Sequence, residues 1–151
     1  MRYFLLFSMI YPVLLFGQYN TWTKLNDVGM GKRERAVGFS IGSLGYLCGG
    51  IDTAEVIHKD LWAYDPQTDA WTQKSDLPGS PRRDAISFVI DSYAYVGSGM
   101  DSVSGPAGTT LKDFWRFNPT TNVWSAAADF PGAGGDGVYF ATGFSLGGKG
   151  Y

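Results

Sequence analysis

Short apolar runs alternate with small and polar turn residues along most of the chain. In GFSIGSLGYLCGG (38–50), two β-rich runs flank a short turn and end in a glycine pair, which marks a tight bend or a close backbone approach. LWAY (61–64) predicts a third strand, the following DPQTD carries turn chemistry, and a fourth strand runs from Trp71 to the turn DLPG. We see no helical periodicity after residue 18. The pattern therefore predicts an all-β module of short antiparallel strands.

The chain repeats this module. The stretch DLWAYDPQTDAW (60–71) has a near-twin in DFWRFNPTTNVW (113–124), and the likeness continues to residues 79 and 132. A partial earlier copy, WTKLNDVG, occupies residues 22–29, and GFSIGSLGY (38–46) recurs at 87–95 and 143–151. The period is about 50 residues, which is typical of repeat folds built from small sheets.

A single four-stranded sheet cannot bury both of its faces, so copies of this module must stack on one another. Radial stacking of four-stranded sheets gives a β-propeller. We therefore predict an all-β fold made of propeller blades. The chain holds about two and a half of them in an open arc, fewer than the roughly four to eight of a closed ring.

The repeated residues resemble the signature of the kelch-repeat family, in its secreted bacterial form. That signature combines a glycine pair, spaced tryptophans and an aromatic-Asp/Asn-Pro turn, and the matching positions here are Gly49, Gly50, Trp62, Asp65, Pro66, Trp71, Trp115, Pro119 and Trp124. The Pro-Arg that opens the innermost strand in the family corresponds to Pro81-Arg82 and to Lys32-Arg33, whereas the third copy has no arginine there. The resemblance covers residues 19–151, and residues that recur in every blade are expected to pack the blades.

The repeats set the expected boundaries. We place a blade-closing strand at about 20–28, complete repeats at about 33–79 and 82–132, and the start of a further repeat at about 138–151. In kelch-like rings the terminal strands often complete one blade together, so a lone fourth strand at the N-terminus implies that its partner strands lie beyond residue 151. We interpret the chain as the N-terminal part of a longer protein; the alternative is that several copies assemble into one ring.

Residues 1–18 predict a secretory signal peptide, with Arg2 before an apolar core at 3–16 and a small residue, Gly17, near the expected cut. The alternative is an uncleaved anchor, but the run is shorter than the roughly 20 residues that span a membrane. After cleavage we expect no stable membrane span and a secreted, periplasmic or cell-surface location. The net charge of −2 and pI of 5.2 argue against nucleic-acid binding through bulk electrostatics.

Motifs for catalysis are weak. GFSLGGKG (143–150) approaches a phosphate-binding loop, but Gly150 replaces the required hydroxyl and no helical pattern follows. GAGGDG (132–137) is likewise followed by β-rich residues. His58 is the only histidine, too few for a zinc site or a His-based triad, and Cys48 is expected to be a small buried apolar residue. We expect no catalytic residue, no metal and no cofactor in this chain.

Polar residues that differ between the modules lie in two classes of loop. The resemblance implies that loops from a fourth strand to the next first strand, and loops between second and third strands, share one face around the channel mouth. The candidate ligand-binding residues there are Arg33, Arg35, Arg82, Arg83, Asp52, Glu55, His58 and Asp101. Guanidinium groups suit carboxylates, so we predict an acidic ligand, either an acidic peptide or an acidic sugar. The alternative for Arg33 and Arg82, which recur in register, is a structural role, and this makes Arg35 and Arg83 the freer candidates.

Three functions remain open from the sequence. The first is a binding module for a protein or a glycan. The second is an exported sugar-processing enzyme similar to a sialic-acid epimerase, which would need acid and base side chains converging on the channel mouth. The third is a purely structural surface repeat, which would carry no concave polar cluster.

Overall fold

The computed structural model describes residues 23–29, 31–103, 110–132 and 136–151. The expected signal peptide at 1–18 lies outside these residues. The described residues form strands and turns without a helix, and they include no helix long and apolar enough to cross a membrane. The strands are β1 (Arg33–Glu34), β2 (Val37–Ile41), β3 (Leu44–Cys48), β4 (Ile51–Asp52), β5 (Leu61–Asp65), β6 (Ala70–Lys74), β7 (Ile86–Ile90), β8 (Tyr93–Gly97), β9 (Phe114–Asn118), β10 (Val123–Ala127), β11 (Ser145–Leu146) and β12 (Lys149–Gly150).

The first complete repeat folds into an antiparallel sheet with the strand order β2-β3-β5-β6. The β2–β3 turn contains Gly42 at a φ of 59°, a conformation that glycine adopts without steric cost. In β5, Leu61 and Ala63 are buried while the residues between and after them are partly exposed, as expected for a strand with one face on the core. The predicted four-strand module is confirmed.

The second repeat folds in the same way, with the order β7-β8-β9-β10. Here Asp91 takes the turn position of Gly42 and has a φ of 55°. Aspartate tolerates this left-handed conformation better than most residues because its side chain can bond the local backbone. The third copy contributes a two-stranded hairpin, β11-β12, whose Phe144 and Tyr151 rings stack 5.4 Å apart.

The core lies between the first two sheets. Phe117 of the second sheet is fully buried and meets Tyr46 of the first in an edge-on contact at 6.0 Å, and Leu61, Ala94 and Val96 fill the same cluster. Burying one large apolar side chain contributes about 1.5–3 kcal/mol. Stacking of the modules, as the repeat predicted, is therefore a main source of stability.

The corresponding face of the second sheet is only partly covered by the β11-β12 hairpin. A cavity of about 430 Å³ remains there, and Phe88, Tyr95 and Phe114 line it. The described sheets do not close on one another, so the predicted open arc of blades is confirmed.

The segment at 23–29 docks on the outer turn of the first sheet. The Asn26 amide donates to Asp69 Oδ1 at 3.0 Å, and Trp71 Nε1 donates to the Asn26 carbonyl at 3.1 Å. Ser75 makes the same contacts with Asn122 and Trp124 of the second sheet, as the alignment of WTKLNDVG with WTQKSDLP implies. Residues 23–28 carry no strand, and residues 20–22 lie outside the described part, so the blade-closing strand stays a prediction.

Candidate functional site

The two loop classes meet at one end of the sheets. In the first repeat, β1 pairs with β4 through Arg33↔Asp52 and Glu34↔Ile51. Between repeats, the Gly50 amide donates to the Arg82 carbonyl, and the Arg82 amide donates to the His58 carbonyl, both at 2.9 Å. We call this end the rim, defined by residues 31–36, 49–60, 80–85, 98–103 and 110–113. It holds the eight candidate ligand-binding residues.

Arg33 and Arg82 occupy equivalent buried positions in the rim. Arg33 binds the Asp60 carboxylate at 2.7 Å and 3.2 Å and the Gly49 carbonyl at 2.9 Å. Arg82 binds the Asp113 carboxylate at 2.9 Å and 2.7 Å and the Ser98 carbonyl at 3.2 Å. Their side chains are 3% and 1% exposed.

A tryptophan completes each of these clusters. Trp62 Nε1 donates to Asp60 at 2.8 Å, and Trp115 Nε1 donates to Asp113 at 2.6 Å. Burial raises the pKa of both carboxyl groups, but the hydrogen bonds from the arginine and the tryptophan outweigh it and leave each pKa below its usual value. Both guanidinium groups are therefore engaged within the blades, as the structural alternative for this pair expects.

Arg83 is also buried, which differs from the expectation that it would be a freer candidate. Its side chain is 3% exposed and pairs with the Asp84 carboxylate. Its Nε donates to the Ser102 carbonyl at 2.7 Å. Alignment of the repeats does not predict this burial, because Arg83 aligns with Glu34, whose side chain is 72% exposed. In this structure Arg83 fixes the start of the 101–103 loop instead of facing solvent.

Arg35 is the rim arginine that solvent reaches, with 40% of its side chain exposed. Its Nη1 lies 3.6 Å from Asp84 Oδ2, and its guanidinium lies over the Phe140 ring at 5.5 Å from the centroid. Such a cation–π contact holds a guanidinium in place while leaving N–H donors available.

Three positions in register build this cluster. Arg35, Asp84 and Phe140 occupy equivalent positions, each three residues before the start of the repeated segments at 38, 87 and 143. Their φ angles are 57°, 54° and 54°. A left-handed conformation is rare for bulky residues and costs about 1–2 kcal/mol. The same bent backbone thus presents a cation, an anion and an aromatic ring from successive modules. Asp84 and Phe140 were not among the predicted site residues, although the alignment of these three dissimilar residues was a visible signal.

Asp52 and His58 form a second polar group, on the loop between the second and third strands. Asp52 Oδ1 accepts the backbone amides of Ala54 and Val56 at 2.9 Å and 3.0 Å, and its Oδ2 lies 2.8 Å from His58 Nε2. The hydrogen bond with His58, helped by that with Val56, lowers the pKa of Asp52. Glu55, at a φ of 62°, turns the loop.

The remaining candidates add little chemistry. Asp101 is exposed at the equivalent loop of the second repeat. Cys48 is 2% exposed, and burial, helped by the Asp60 charge, raises the pKa of its thiol to about 12, which fits the expected small buried residue. Within the described ranges, no group of three or more potential ligand side chains is arranged to hold a metal ion.

The signature residues serve the fold. Gly49 and Gly50 have φ angles of 65° and 90°, and a Cβ on Gly50 would lie 2.7 Å from the Glu34 carbonyl. Asp65 Oδ1 accepts the Gln67 amide beside Pro66, and Asn118 repeats this bond beside Pro119. These turns and the tryptophan bonds recur in both complete repeats, so they stabilise the scaffold and do not belong to the site.

The fold and the repeated Arg–Asp–Trp clusters define the class of protein: stacked four-stranded blades of a β-propeller. Residues 40–78 match the family model described as Kelch motif. These residues therefore carry a kelch motif on a propeller-type fold.

Solved structures agree on the fold. The chain is similar to YjhT, a kelch-type propeller protein, with a TM-score of 0.73 and 22% sequence identity. The match covers 86% of this chain and 47% of YjhT, so the chain spans about half the length of that protein. A comparison with curated proteins gives no match.

Proposed function

We propose that the protein is a secreted kelch-repeat propeller that acts as a binding module for an acidic ligand on a protein or a glycan. The ligand would bind at the rim, where Arg35 supplies the cation. Export is part of the proposal because residues 1–18 have the pattern of a signal peptide.

The observation that carries this proposal is the contrast among the four rim arginines. Arg33, Arg82 and Arg83 are buried and engaged, whereas Arg35 keeps 40% of its side chain exposed. Its ring contact with Phe140, itself 68% exposed, leaves an aromatic surface beside a guanidinium. That pairing suits a carboxylate carried on an apolar or sugar ring.

Arg35→Gln tests the proposal, and Arg116→Gln is the matched control. Arg116 also stacks on an aromatic ring, with its guanidinium 4.9 Å from the Tyr93 centroid, but it lies in β9 and outside the rim. Two probes are titrated by calorimetry into the full chain: oligogalacturonate and an oligoglutamate peptide. A charge-assisted hydrogen bond contributes about 1.5–3 kcal/mol, so Arg35→Gln should weaken binding by roughly ten- to a hundredfold.

The two probes separate a glycan ligand from a peptide ligand. Binding of one probe that Arg35→Gln weakens and Arg116→Gln leaves unchanged supports the proposal and names the ligand class. Equal weakening by both variants would mean that the probe responds to the net charge of the protein and not to Arg35, and would contradict the proposal. If neither probe binds, the rim has no affinity for carboxylates and the proposal is wrong.

A second candidate function, an exported sugar-processing enzyme, is favoured by the Asp52–His58 pair. A carboxylate hydrogen-bonded to one imidazole nitrogen orients the ring so that the other nitrogen can exchange protons with a substrate. Both side chains are about one-quarter exposed, at 25% and 28%. Polarimetry of sialic acid with the full chain tests this function: acceleration of its anomeric equilibration that His58→Gln abolishes supports it, and no acceleration contradicts it.

A further inference from the structure

A repeated contact joins the outer strands of neighbouring modules. In the second module, Asn122 Oδ1 accepts the Ser75 amide at 3.0 Å, and Trp124 Nε1 donates to the Ser75 carbonyl at 2.8 Å. The first module makes the same two bonds to the segment at 23–29. We call the two side chains the Asx-x-Trp pair, and the residue whose backbone they bind the docking residue.

One such pair and one docking residue remain at opposite ends of the chain. The sequence NTW (20–22) aligns with DAW (69–71) and so carries a further pair, which lies outside the described residues. Ala128 aligns with Ser75 and is exposed, and among the described residues no Asx-x-Trp pair binds it. The pair at 20–22 and Ala128 therefore match each other in chemistry.

A single chain does not bring these two features together. In both observed contacts, the pair and its docking residue belong to adjacent modules. Residues 20–22 precede the segment that binds the outer turn of the first sheet, whereas Ala128 follows the last strand of the second sheet. The first sheet lies between them, so the missing contact requires a module from a second chain.

A second match exists between the same two ends. Within the chain, the Tyr46 ring of the first module meets Phe117 of the second sheet at 6.0 Å. Tyr151 is the equivalent of Tyr46 in the third module, and it is 57% exposed. Tyr64 is the equivalent of Phe117 in the first sheet, and it is only partly buried, whereas Phe117 is fully buried. Contact between Tyr151 of one chain and Tyr64 of another would remove both rings from water, which stabilises an interface.

We propose that two copies of this chain join head to tail into one ring, in which residues 20–22 of each copy bind Ala128 of the other. Contacts between two different surfaces of identical chains form a ring when the rotation between the chains closes. The length agrees with two copies, because the match to YjhT covers 47% of that protein. Two copies therefore correspond to about one propeller of that length. In the ring, the β11-β12 hairpin of one copy and residues 20–29 of the other contribute to the same module.

Sedimentation equilibrium of residues 19–151, the chain without its expected signal peptide, tests the association. We expect a dimer. Trp22→Ala should raise its dissociation constant about tenfold or more, because the variant removes a hydrogen bond and an aromatic contact. Leu25→Ala is the matched control, since Leu25 lies in the same segment, is 51% exposed and stands outside the pair. It should leave the dissociation constant unchanged.

Disulfide cross-linking tests the arrangement of the two copies. Asn20→Cys and Ala128→Cys are introduced into separate chains, which are mixed under mild oxidation. Cys48 is 2% exposed and should not react. Ser75→Cys with Asn122→Cys in one chain is the positive control, because these residues are in contact. We expect a linked pair that contains one chain of each kind.

Three results would each overturn the inference. They are a chain that stays monomeric at every concentration measured, a loss of association with Leu25→Ala as large as that with Trp22→Ala, and no linkage between the Asn20→Cys and Ala128→Cys chains when the positive control links. The inference does not depend on the acidic ligand, so Arg35→Gln should leave the association unchanged.

Discussion

Replacing Ser98 with glycine should stabilise the protein. Ser98 is fully buried at a φ of 54°, and its Oγ has no hydrogen-bond partner among the described residues. The first repeat has Gly49 at the equivalent position, at a φ of 65°. A side chain in the left-handed region costs about 1–2 kcal/mol, and an unsatisfied buried hydroxyl costs about 1–3 kcal/mol.

Glycine also carries a cost, because its unfolded chain is more flexible by about 0.5–1 kcal/mol. The sum favours Ser98→Gly by at least about 1 kcal/mol. For a chain of this size, such a gain raises the melting temperature by about 2–4 °C. Ser98→Ala separates the two contributions, since it removes the hydroxyl and keeps the backbone conformation.

Urea denaturation of the full chain, followed by tryptophan fluorescence, measures these changes. We expect the midpoint to rise for Ser98→Ala and to rise further for Ser98→Gly. The opposite change, Gly49→Ser, should destabilise, because a Cβ at Gly49 would lie 2.6 Å from the Arg82 carbonyl oxygen. A lower midpoint for Ser98→Gly than for the unmodified chain would refute the argument.

Three further predictions concern buried ionisable groups. Asp113→Asn should destabilise by about 3–5 kcal/mol, because Arg82 would stay buried without its counter-charge; equilibrium unfolding checks this, and a cost below about 1 kcal/mol would contradict it. Acid should also destabilise: the folded pKa values of Asp60 and Asp113 lie below their unfolded values, so their contribution is complete above the unfolded pKa of about 3.9 and is lost as the pH falls through the folded values. Unfolding midpoints between pH 6 and pH 2 measure it, and a flat profile would count against it. Finally, native Cys48 should resist a thiol reagent at pH 8, because its pKa is about 12 and it is buried; rapid labelling without unfolding would show that the site opens.

The repeat made most of the fold predictable. Aligned residues such as Trp71 and Trp124 fix the register of the outer strands, and the structure gives both the same bond to the preceding module. Even the docking of Asn26 follows from that alignment, because it stands where Ser75 stands one module later.

The site was less predictable, since position in a repeat does not report burial. Arg83 and Glu34 align, yet one is buried and the other is exposed. Arg83 is drawn inward by Asp84, which stands where the first repeat has Arg35, and by the Ser102 carbonyl. Ser102 belongs to a loop that is longer than its counterpart in the first repeat. Phe140 escaped notice because the third copy departs from the signature just before its first strand.

The tryptophan bonds between neighbouring modules run in one direction. Trp124 Nε1 donates to the Ser75 carbonyl, and Trp71 Nε1 donates to the Asn26 carbonyl. Each outer hairpin is therefore held by the element that precedes it in the chain. The array therefore has a polarity, because each module depends on the one before it for this bond. Removing residues 23–29 should loosen the outer hairpin of the first sheet and leave that of the second in place. During synthesis, the carbonyl that each outer hairpin binds has already left the ribosome when the hairpin emerges. The blades would then be stabilised in the order in which they are synthesised.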